Sequence, residues 1–484
     1  MTAQAIPLVP YPRSVEHRDE SAFVSHEASI LEDSRITRTL DGERVDAEGY
    51  RIDVTSDGIA IIAADPAGAF YAEATLRQLA RREGEDEGNG DGEGEGDGDA
   101  WIVPAVAIAD APRFAHRGIM LDVARHFFGV EVIERFIDDA AALKFNRLHL
   151  HLSDDQGWRL AIDARPELAA RASGSAVGGA LGGYFTAADY RRIIEHAASR
   201  HMIVIPEIDL PGHTHAVGLA YPELVSAPVI GDVLREQAAS LGEDLPEAGR
   251  AYTGIGVGFS SLALTPTGPT PAVAEFVRDV LAEVAALTPG PWLHIGGDEA
   301  LGTDRDAYCA FLAHVTALVG ELGKTPIAWH EAGHAPVAPG TWGQYWSFVT
   351  PAEGADAAAR AFAEGGGRVI LSPADAAYLD MKPAPDARLG LTWANGPTSL
   401  ERAYAWEPTG IVPGLDAAAI AGVEACLWTE TIETEADIRE MVRPRIAAIA
   451  EIAWSPAPDA SPARSWESFC ERVAALESAW ESEA

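Results

Sequence analysis

Apolar and polar residues alternate in two short segments near the start of the chain, residues 50–54 and 59–63. Alternation with a period of two is typical of β-strands, and a Ser-Asp-Gly turn separates the two segments. Residues 70–82 then show the apolar spacing of an amphipathic helix. We therefore predict a small α+β domain over residues 1–112.

Residues 83–99, near the end of this region, are almost entirely Gly, Asp and Glu. Such a segment has no apolar surface to bury, so we expect an acidic, mobile loop. A calcium-binding repeat is the alternative, because Gly and Asp alternate. The hydrophobic positions that order such repeats are absent, which argues against it.

From residue 113 onward the pattern changes to alternating strands and helices. Strand candidates lie at residues 118–123, 147–152, 202–208, 292–295, 326–329, 343–346, 368–371 and 423–428. Helical stretches between several of them include residues 131–144, 187–200 and 271–286. This alternation predicts an α/β fold, a (β/α)₈ TIM barrel over residues 113–484. A doubly wound sheet is the alternative, but no GxGxxG or Walker segment opens a helix.

The composition bears on possible partners. The 484 residues are 47% hydrophobic, so the chain can bury a large core and hold more than one domain. A formal net charge of −38 argues against nucleic acid and anionic membrane surfaces. No apolar run approaches the roughly 20 residues that a membrane-spanning helix needs. We therefore expect no nucleic-acid partner and no membrane partner.

The first residues and the cysteines bear on cellular location. Residues 1–10 lack the basic region and the long apolar core of a secretory signal. The cysteines, Cys309, Cys426 and Cys470, are widely spaced and form no CxxC pair. We expect reduced thiols in a cytoplasmic protein.

The segment HIGGDE, residues 294–299, carries the strongest chemical signal. A short buried strand ends at its Gly-Gly pair, where the backbone can turn freely. The carboxylates of Asp298 and Glu299 follow at once. Adjacent acids repel each other, so at least one should resist ionisation if both face an enclosed site. The pair can thus supply a proton donor beside an ionised carboxylate.

Polar residues follow other predicted strands as well. In a barrel the strand ends face one cleft, so such residues are site candidates. The first three strands run into the segments DVARH, HLHLSDDQGW and PEIDLPGH, which contain Arg125, Asp154 and His213. Period-two geometry places His149 and His151 on one face of their strand.

Aromatic residues accompany several of these acids. The pairs Tyr378 with Asp380 and Trp428 with Glu430 each put a flat ring and a carboxylate on one strand face. A sugar fits such a pair, because its CH face stacks on the ring while its hydroxyls hydrogen-bond to the acid. Further tryptophans near strand ends are Trp329, Trp346 and Trp393. One arginine with several acids and tryptophans indicates neutral carbohydrate rather than phosphate, which would need several cations.

Two other interpretations of these residues are open. Buried tryptophans are common in barrels, so each of them could simply pack the core. A metal ion could be held by His149, His151, Asp154 and His213. No HExxH or similarly tight ligand spacing supports a metal. We expect neither a metal nor a cofactor.

The chain resembles family 20 glycoside hydrolases, the β-N-acetylhexosaminidases, in the segments DVARHF, HLHLSDDQGWR, PEIDLPGH, HIGGDE, QYW, LSPADAAYLDM and GVEACLWTET. The resemblance runs from residue 9 to about residue 454, and the segments occur in the family's order. It implies a TIM barrel preceded by a small α+β domain. The pattern of strands and helices predicts the same division.

The resemblance also implies roles for the residues around the acid pair. Glu299 would be the general acid/base, and Asp298 would orient and stabilise the 2-acetamido group of the substrate. Tyr378 would donate a hydrogen bond to the carbonyl oxygen of that group. Asp154 and His213 would form a supporting relay behind Glu299.

Other residues would contact the rest of the sugar. The hydroxyl groups would be bound by Arg125, Asp380 and Glu430. The acetamido pocket would be walled by Trp329, Trp346 and Trp428. Trp393 would lie on the leaving-group side. Residues 227–250 lie outside the family's motifs and could reshape the rim of the site, which would alter the preference for the leaving group.

The resemblance implies an exo-acting, retaining enzyme that releases terminal β-linked GlcNAc or GalNAc from an oligosaccharide. The acetamido oxygen of the substrate would act as the nucleophile and form an oxazolinium intermediate, an exception to the two-carboxylate rule. Asp298 would stabilise the charge that develops on the acetamido nitrogen, and Glu299 would protonate the leaving oxygen.

Two alternative functions remain open. A member of the family could instead release a disaccharide or a sulfated sugar. Disaccharide release needs a pocket that is open beyond the 4-hydroxyl, and Arg125 and Asp380 argue against it if they close that end. A sugar-binding protein that has lost catalysis is the other alternative, and the presence of both Asp298 and Glu299 disfavours it.

Overall fold

The computed structural model describes residues 6–83 and 100–482. By its internal contacts the chain divides into two compact units. The first unit draws on Met1–Ala115, Asp139–Phe145 and Ala450–Ala484, and the second on His116–Asp138 and Asn146–Ile449. Strands and helices are numbered in chain order across both units.

The described strands of the first unit are β1 (Ser14–His17), β2 (Phe23–Ser25), β3 (Ile36–Leu40), β4 (Tyr50–Val54), β5 (Ile59–Ala63), β6 (Arg81–Arg82), β7 (Trp101–Val103) and β8 (Val106–Asp110). A mixed sheet has the order β1-β8-β4-β5-β3, in which only β3 and β5 pair in parallel. A smaller antiparallel sheet has the order β2-β7-β6. The two strands predicted at residues 50–54 and 59–63 are confirmed as β4 and β5.

Helix α1 (Pro66–Leu79) shares a hydrophobic core with the mixed sheet and begins earlier than the predicted residue 70. The carboxylate of Asp65 caps it by accepting a hydrogen bond from the backbone N–H of Gly68. Pro66 follows at the first helical position, where a missing N–H is harmless. Apolar spacing marks only the buried face of a helix, so it missed this polar first turn.

A buried carboxylate joins three segments of the first unit. Asp110, at the end of β8, accepts hydrogen bonds from the Tyr50 hydroxyl at 2.6 Å and the Trp454 indole N–H at 2.9 Å. The Lys144 ammonium lies 3.1 Å from the same carboxylate oxygen. Both charged side chains are buried, so their pairing offsets a large cost of desolvation.

The second unit is built on a closed barrel of parallel strands: β9 (His116–Asp122), β10 (Arg147–His151), β13 (Ile203–Glu207), β16 (Trp292–His294), β17 (Thr325–Trp329), β18 (Trp342–Tyr345), β19 (Val369–Leu371) and β20 (Ile420–Leu427). Neighbours in this series pair in parallel, and β20 pairs with β9 to close the ring. Two short ribbons are β11 (Ser153–Asp154) with β12 (Gly157–Trp158), and β14 (Leu264–Thr265) with β15 (Gly268–Pro269). The predicted TIM barrel is confirmed, with each predicted strand within three residues of its observed bounds.

The remaining described helices are α2 (Val130–Ala142), α3 (Glu167–Ala172), α4 (Ala187–Ser199), α5 (Val217–Ala220), α6 (Asp232–Leu241), α7 (Pro271–Leu287), α8 (Arg305–Glu321), α9 (Ala355–Glu364), α10 (Ala374–Ala377), α11 (Leu400–Tyr404), α12 (Pro408–Ile411), α13 (Glu435–Val442), α14 (Arg445–Trp454) and α15 (Trp466–Ser482). The helices predicted at residues 131–144, 187–200 and 271–286 are confirmed as α2, α4 and α7. Side-chain caps explain two of their starts: Thr186 and Thr270 each accept a hydrogen bond from a backbone N–H in the first turn.

The barrel strands are buried on both faces, but the barrel interior is not apolar throughout. Every residue of β9 and of β20 is buried, as expected for strands between a core and a layer of helices. A Cβ atom at Gly118 would lie only 2.1 Å from Oε2 of Glu424, so the missing side chain makes room for this carboxylate. The barrel therefore holds buried charges below its rim.

Two predictions about chain organisation remain predictions. The first is the pair of domain bounds, 1–112 and 113–484. The first compact unit includes residues from outside the first of these ranges, among them Ala450–Ala484. The acidic loop predicted at residues 83–99 lies, from residue 84 on, outside the described residues. Among the helices in the described ranges, none has the length and apolar character needed to cross a membrane.

Replacing Asp110 by Asn should lower the free energy of unfolding by about 3 kcal/mol, the usual cost of breaking a buried ion pair. The neutral amide keeps the shape of the side chain but removes the charge that faces Lys144. Chemical denaturation followed by circular dichroism measures the change. Asp46→Asn is the matched control, because Asp46 pairs with Arg13 at the surface and its loss should lie within the measurement error. Equal effects of the two substitutions would contradict the prediction.

Candidate active site

The carboxyl ends of the barrel strands bring polar residues to one rim. Strand pairing aligns Asp122 with His151, His151 with Glu207, and Glu207 with His294. Residues in register on neighbouring strands point to the same side of a sheet. The ends of β9, β10, β13 and β16 therefore form a continuous row of titratable side chains, and the candidate residues follow directly after it.

The Gly-Gly turn places the acid pair at this rim. Gly296 and Gly297 have φ angles of 66° and 99°, a region that favours glycine. A Cβ atom at Gly296 would lie 1.6 Å from Oδ1 of Asp209, so no other residue fits there. Glu299 itself has a φ angle of 43°. Non-glycine residues in this region are uncommon and cluster at functional sites.

A cavity of about 560 Å³ opens at the rim. Among the predicted site residues, those that line it are Arg125, Asp154, His213, Asp298, Glu299, Trp346, Tyr378, Asp380, Trp393, Trp428 and Glu430. The structure thus brings together residues that are spread over some 300 positions of the sequence, as expected when successive strands end at one face.

Trp329 is the one predicted site residue that does not line the cavity. It is fully buried, and its ring centroid lies 5.9 Å from that of Trp428, which does line the cavity. Its indole N–H donates a hydrogen bond of 2.8 Å to Oε1 of Glu207. Trp329 therefore lies directly behind the cavity wall.

An aromatic wall covers one side of the cavity. Trp393 meets Trp346 and Tyr378 edge to face, with ring centroids 5.9 Å apart in both pairs. The Tyr378 ring also lies 6.2 Å from Trp428. Trp393 is 47% exposed and stands at the mouth of the cavity, whereas Tyr378 is buried. The wall can pack against the apolar face of a sugar or its acetyl group.

Asp298 is a buried acid that holds its proton more tightly than usual. Burial raises the pKa of Asp298 to about 6; the nearby His213 opposes this shift, and Glu299 adds to it. Burial and the adjacent Asp298 raise the pKa of Asp209 well above its usual range. Asp209 therefore keeps its proton and can donate a hydrogen bond to an ionised Asp298.

Behind Glu299 lies an imidazole that contacts two further acids. His213 Nε2 is 3.4 Å from Oε2 of Glu299 and 3.9 Å from Oδ2 of Asp298. On its other side, His213 Nδ1 is 3.1 Å from Oδ1 of Asp154. Burial alone would lower the pKa of His213, but the charge and hydrogen bond of Asp154 raise it well above its usual value. The imidazole is therefore held in its charged form.

The opposite end of the cavity is polar. The Arg125 guanidinium lies 2.9 Å from Asp154 and 5.0 Å above the ring of Trp428. Burial raises the pKa of Glu430 to about 7 even though Arg125 opposes it, and burial together with Glu430 raises the pKa of Asp380 well above its usual range. A neutral carboxyl beside a titrating one offers both donors and acceptors, which suits sugar hydroxyls.

The structure adds residues that sequence reasoning did not select as site residues. Glu207 lies near the end of the strand predicted at residues 202–208, and Asp209 follows it directly, but nothing in the segment PEIDLPGH marks either acid as part of the site. Glu331 accepts a hydrogen bond of 2.8 Å from the indole of Trp346. Its place directly after a predicted strand was the available signal.

Helix α6 forms another part of the cavity lining. It lies in the segment 227–250, which is outside the family's motifs, and it contributes Gln237, Ser240 and Leu241. Further lining residues are Ile255, Val257, Leu391 and Thr392. This side is mostly neutral and apolar, in contrast to the charged end around Arg125.

Four groups of histidines and acids in the described residues bring possible metal-ligand atoms within 4.8 Å of one another; one is His149, Glu207 and His294. These atoms already form ion pairs among themselves. Burial would lower the pKa of His149, but Glu424 and Glu207 raise it to about 9. Because a metal-bound imidazole must be unprotonated, this arrangement favours an ion-pair network.

The cavity therefore combines three chemical capacities. Glu299 is placed to exchange a proton, backed by His213. Asp298 can present a negative charge next to an aromatic wall. The polar end can recognise neutral hydroxyl groups. Together they suit acid-assisted cleavage of a bond to a sugar.

Comparison with known proteins agrees with this chemistry. The family model "Glycosyl hydrolase family 20, catalytic domain" matches residues 114–305 and 301–457. The model "Glycosyl hydrolase family 20, domain 2" matches residues 26–111. Together they cover both the barrel and the region before it.

Individual relatives are similar over most of the chain. A β-N-acetylhexosaminidase of Cellulomonas fimi is 39% identical, over 90% of this chain and 79% of its own. A solved family 20 β-N-acetylglucosaminidase is 49% identical with a TM-score of 0.87, over 97% of this chain and 95% of that chain. An exo β-N-acetylglucosaminidase of Vibrio harveyi, solved with N-acetylglucosamine, is 28% identical with a TM-score of 0.77. The match covers 98% of this chain and 76% of that chain. The chain belongs to glycosyl hydrolase family 20 and is a glycoside hydrolase with β-N-acetylhexosaminidase activity.

Proposed function

We propose that the enzyme releases terminal β-linked GlcNAc or GalNAc with net retention, using the acetamido oxygen of the substrate as the nucleophile. One observation carries this proposal: the carboxylates of Asp298 and Glu299 both lie within 4 Å of the same atom, His213 Nε2. A two-carboxylate retaining enzyme needs its acids on opposite sides of the scissile bond, about 5 Å apart. Asp298 and Glu299 are adjacent in sequence and share one imidazole, so we infer that they do not flank the scissile bond and that the nucleophile belongs to the substrate.

In the proposed first step, Glu299 donates its proton to the leaving oxygen while the acetamido oxygen attacks the anomeric carbon. The bond to the leaving group breaks, and an oxazolinium ion forms. Asp298 stabilises the positive charge on the acetamido nitrogen. Water then attacks the anomeric carbon, and the bond between this carbon and the acetamido oxygen breaks, which restores the acetamido group. Glu299 takes up a proton from the attacking water, and the sugar leaves with its original configuration.

The surroundings support these roles. Burial raises the pKa of Tyr378 well above its usual value, so this hydroxyl keeps its proton and can donate to the acetamido oxygen. Trp428 contacts the tyrosine ring, Trp346 packs against the same apolar cluster, and Trp329 backs Trp428. The wall excludes water from the charged nitrogen, which strengthens its attraction to Asp298.

The polar end supports exo action. Arg125, Asp380 and Glu430 gather at one end of the cavity, where they can bind the hydroxyls of a terminal sugar. The Vibrio harveyi relative is described as an exo enzyme, and we propose exo action for this enzyme, with these three side chains closing the cavity beyond the terminal sugar. A disaccharide would need this end to be open. A sulfated sugar would need a free cation, whereas Arg125 is already paired with Asp154.

The leaving group should lie along α6 and Trp393, at the mouth of the cavity. Leu241 is exposed on this helix, and Trp393 is half exposed. These side chains can pack against the apolar face of a second sugar. The α6 side of the cavity should therefore influence which leaving groups are preferred.

Removal of the acetamido group from the substrate should abolish turnover, because the enzyme then lacks its nucleophile. A chromogenic β-glucoside should be hydrolysed at a negligible rate compared with the β-GlcNAc and β-GalNAc substrates that carry the same leaving group. Initial rates measured side by side test this expectation. Comparable rates on the glucoside would refute the substrate-assisted mechanism and leave the family assignment intact.

Replacing Glu299 by Gln should lower the rate by about 10²–10⁴ for poor leaving groups, because the amide cannot donate the required proton. The loss should shrink for a dinitrophenyl leaving group, which departs without protonation. The comparison needs kcat/KM for both substrates in the wild type and the variant. An equal loss on both would mean that Glu299 is not the acid.

The rate should also fall on the acid side of pH 6. Asp298, whose pKa burial raises to about 6, must be ionised to stabilise the oxazolinium charge. Its charge is present above this pH and lost below it, so kcat/KM should show an acid limb near pH 6. Asp298→Asn should remove this limb and cost at least about 10²-fold with good and poor leaving groups alike.

Azide separates the two possible roles of Asp298. If the nucleophile belongs to the substrate, azide should restore little activity to Asp298→Asn. Substantial rescue with an inverted azido sugar as product would make Asp298 a conventional nucleophile and overturn its assignment.

A further inference from the structure

Imidazoles and carboxylates alternate in the barrel interior behind the cavity. Asp154, which contacts His213 with Oδ1, also accepts from Nε2 of His151 at 2.7 Å with Oδ2. Nδ1 of His151 in turn lies 2.5 Å from Oε2 of Glu207. The relay behind Glu299 therefore does not end at Asp154 but continues into the barrel.

The series extends further below Glu207. Oε2 of Glu207 lies 3.1 Å from Nε2 of His149, and Nδ1 of His149 lies 2.8 Å from Oε1 of Glu424. The other oxygen of Glu424 is 2.8 Å from Nε2 of His116. All of these side chains are buried.

The geometry fixes the charges of the two central histidines. Both ring nitrogens of His151 lie within hydrogen-bond distance of carboxylate oxygens. Those of His149 lie 2.8 Å and 3.1 Å from carboxylate oxygens. This arrangement favours the doubly protonated form of each imidazole. Burial would lower the pKa of His151, but Glu207 and Asp154 raise it well above its usual value. Burial would raise the pKa of Glu207, but His151 and His294 lower it well below its usual range.

The second oxygen of Glu207 connects to a different part of the site. Oε1 accepts the hydrogen bond from Trp329, the indole that backs the aromatic wall. His294 Nδ1 lies 3.1 Å from the same oxygen. One carboxylate thus contacts the support of the aromatic wall through Oε1 and the proton relay through Oε2.

We propose that Glu207 is a positioning residue that fixes the aromatic wall and keeps the relay to Glu299 charged. It holds Trp329 with one oxygen and maintains a protonated His151 with the other. The inference rests on the proposed function, because it assigns Glu207 an effect on the proton that Glu299 donates.

Glu207→Gln separates charge from shape. The amide oxygen can still accept from Trp329, while the amide nitrogen now donates toward His151 and His149, so each of these rings can give up a proton. The positive charge on His151 is then lost together with the negative charge on residue 207. The positive charge of His151 is closer to Glu299 in this chain of contacts than the negative charge of residue 207 is. Other charged or titratable groups near Glu207 or Glu299 include His294, His213, Asp209, Asp298, Glu331 and Cys426.

Loss of the nearer positive charge should make Glu299 release its proton less readily. The alkaline limb of kcat/KM should therefore move to higher pH by about half a pH unit in Glu207→Gln. We expect about a threefold lower kcat/KM with a GlcNAc disaccharide, which needs protonation of the leaving oxygen, and a smaller loss with a dinitrophenyl leaving group. A merely structural role would move neither the limb nor the dependence on the leaving group.

Glu424→Gln is the matched control. It removes another buried barrel carboxylate that contacts His149, but it leaves the contacts of Glu207 with His151 and Trp329 in place. Its melting temperature should fall, whereas its alkaline limb should stay at the wild-type pH. The proposal is overturned if Glu207→Gln leaves the limb unmoved, or if Glu424→Gln moves it equally.

Two further variants keep the proposal testable. If Glu207→Gln does not fold, His151→Gln removes the same positive charge and must move the limb in the same direction; an unmoved limb then overturns the proposal. Glu299→Gln should abolish the alkaline limb altogether. If Glu299→Gln keeps the alkaline limb, the proposed role of Glu299 is refuted. If Glu299→Gln loses the limb but Glu207→Gln leaves it at the wild-type pH, only the role of Glu207 is refuted.

Discussion

The interior of the barrel must hold several ionised side chains away from water, and the geometry of the active site depends on how they are paired. An isolated buried ion costs several kcal/mol, so each needs an opposite charge and well-placed hydrogen bonds. Glu207 and Asp154 meet this requirement by contacting histidines on both sides. These contacts leave each ring little freedom to rotate. The same pairing that makes the buried charges tolerable therefore holds His213 in place against Glu299.

Burial has opposite consequences for neighbouring acids, depending on what surrounds them. Asp154 faces Arg125 and two histidines, which together outweigh burial and hold its pKa well below the usual range. Asp298 faces His213 but also lies near Glu299 and Glu207, so burial prevails and its pKa rises to about 6. One acid is thereby a permanent anion that orients the relay. The other keeps a charge that responds to its surroundings, and this suits a group that must meet a transient cation.

Much of this arrangement could be predicted from sequence because barrel geometry converts local patterns into a shared site. The apolar runs of the barrel strands marked their positions, and the polar residues after each run were predicted to meet at one rim. The adjacent acids Asp298 and Glu299 were informative because the two glycines before them permit a tight turn directly after a buried strand. Period-two alternation likewise placed His149 and His151 on one face, and both of them contact Glu207. Trp329 was harder to place, because a tryptophan that lines a cavity and one that backs its wall have the same local pattern.

What the sequence could not supply were the contacts that depend on strand register and on loops. Glu207 and His151 are 56 residues apart, and their pairing follows from the alignment of β10 with β13, which no local pattern encodes. Helix α6 belongs to a segment outside the family's motifs, so its position beside the cavity rested on tertiary packing alone. This division has a physical basis. The strands and their hydrogen bonds hold the acids and histidines in place, as proton transfer requires, whereas the leaving-group side needs only a surface of suitable shape. A loop can vary that surface without disturbing the buried charges, which is why we propose that the barrel sets the chemistry and that α6 and its neighbours influence the choice of leaving group.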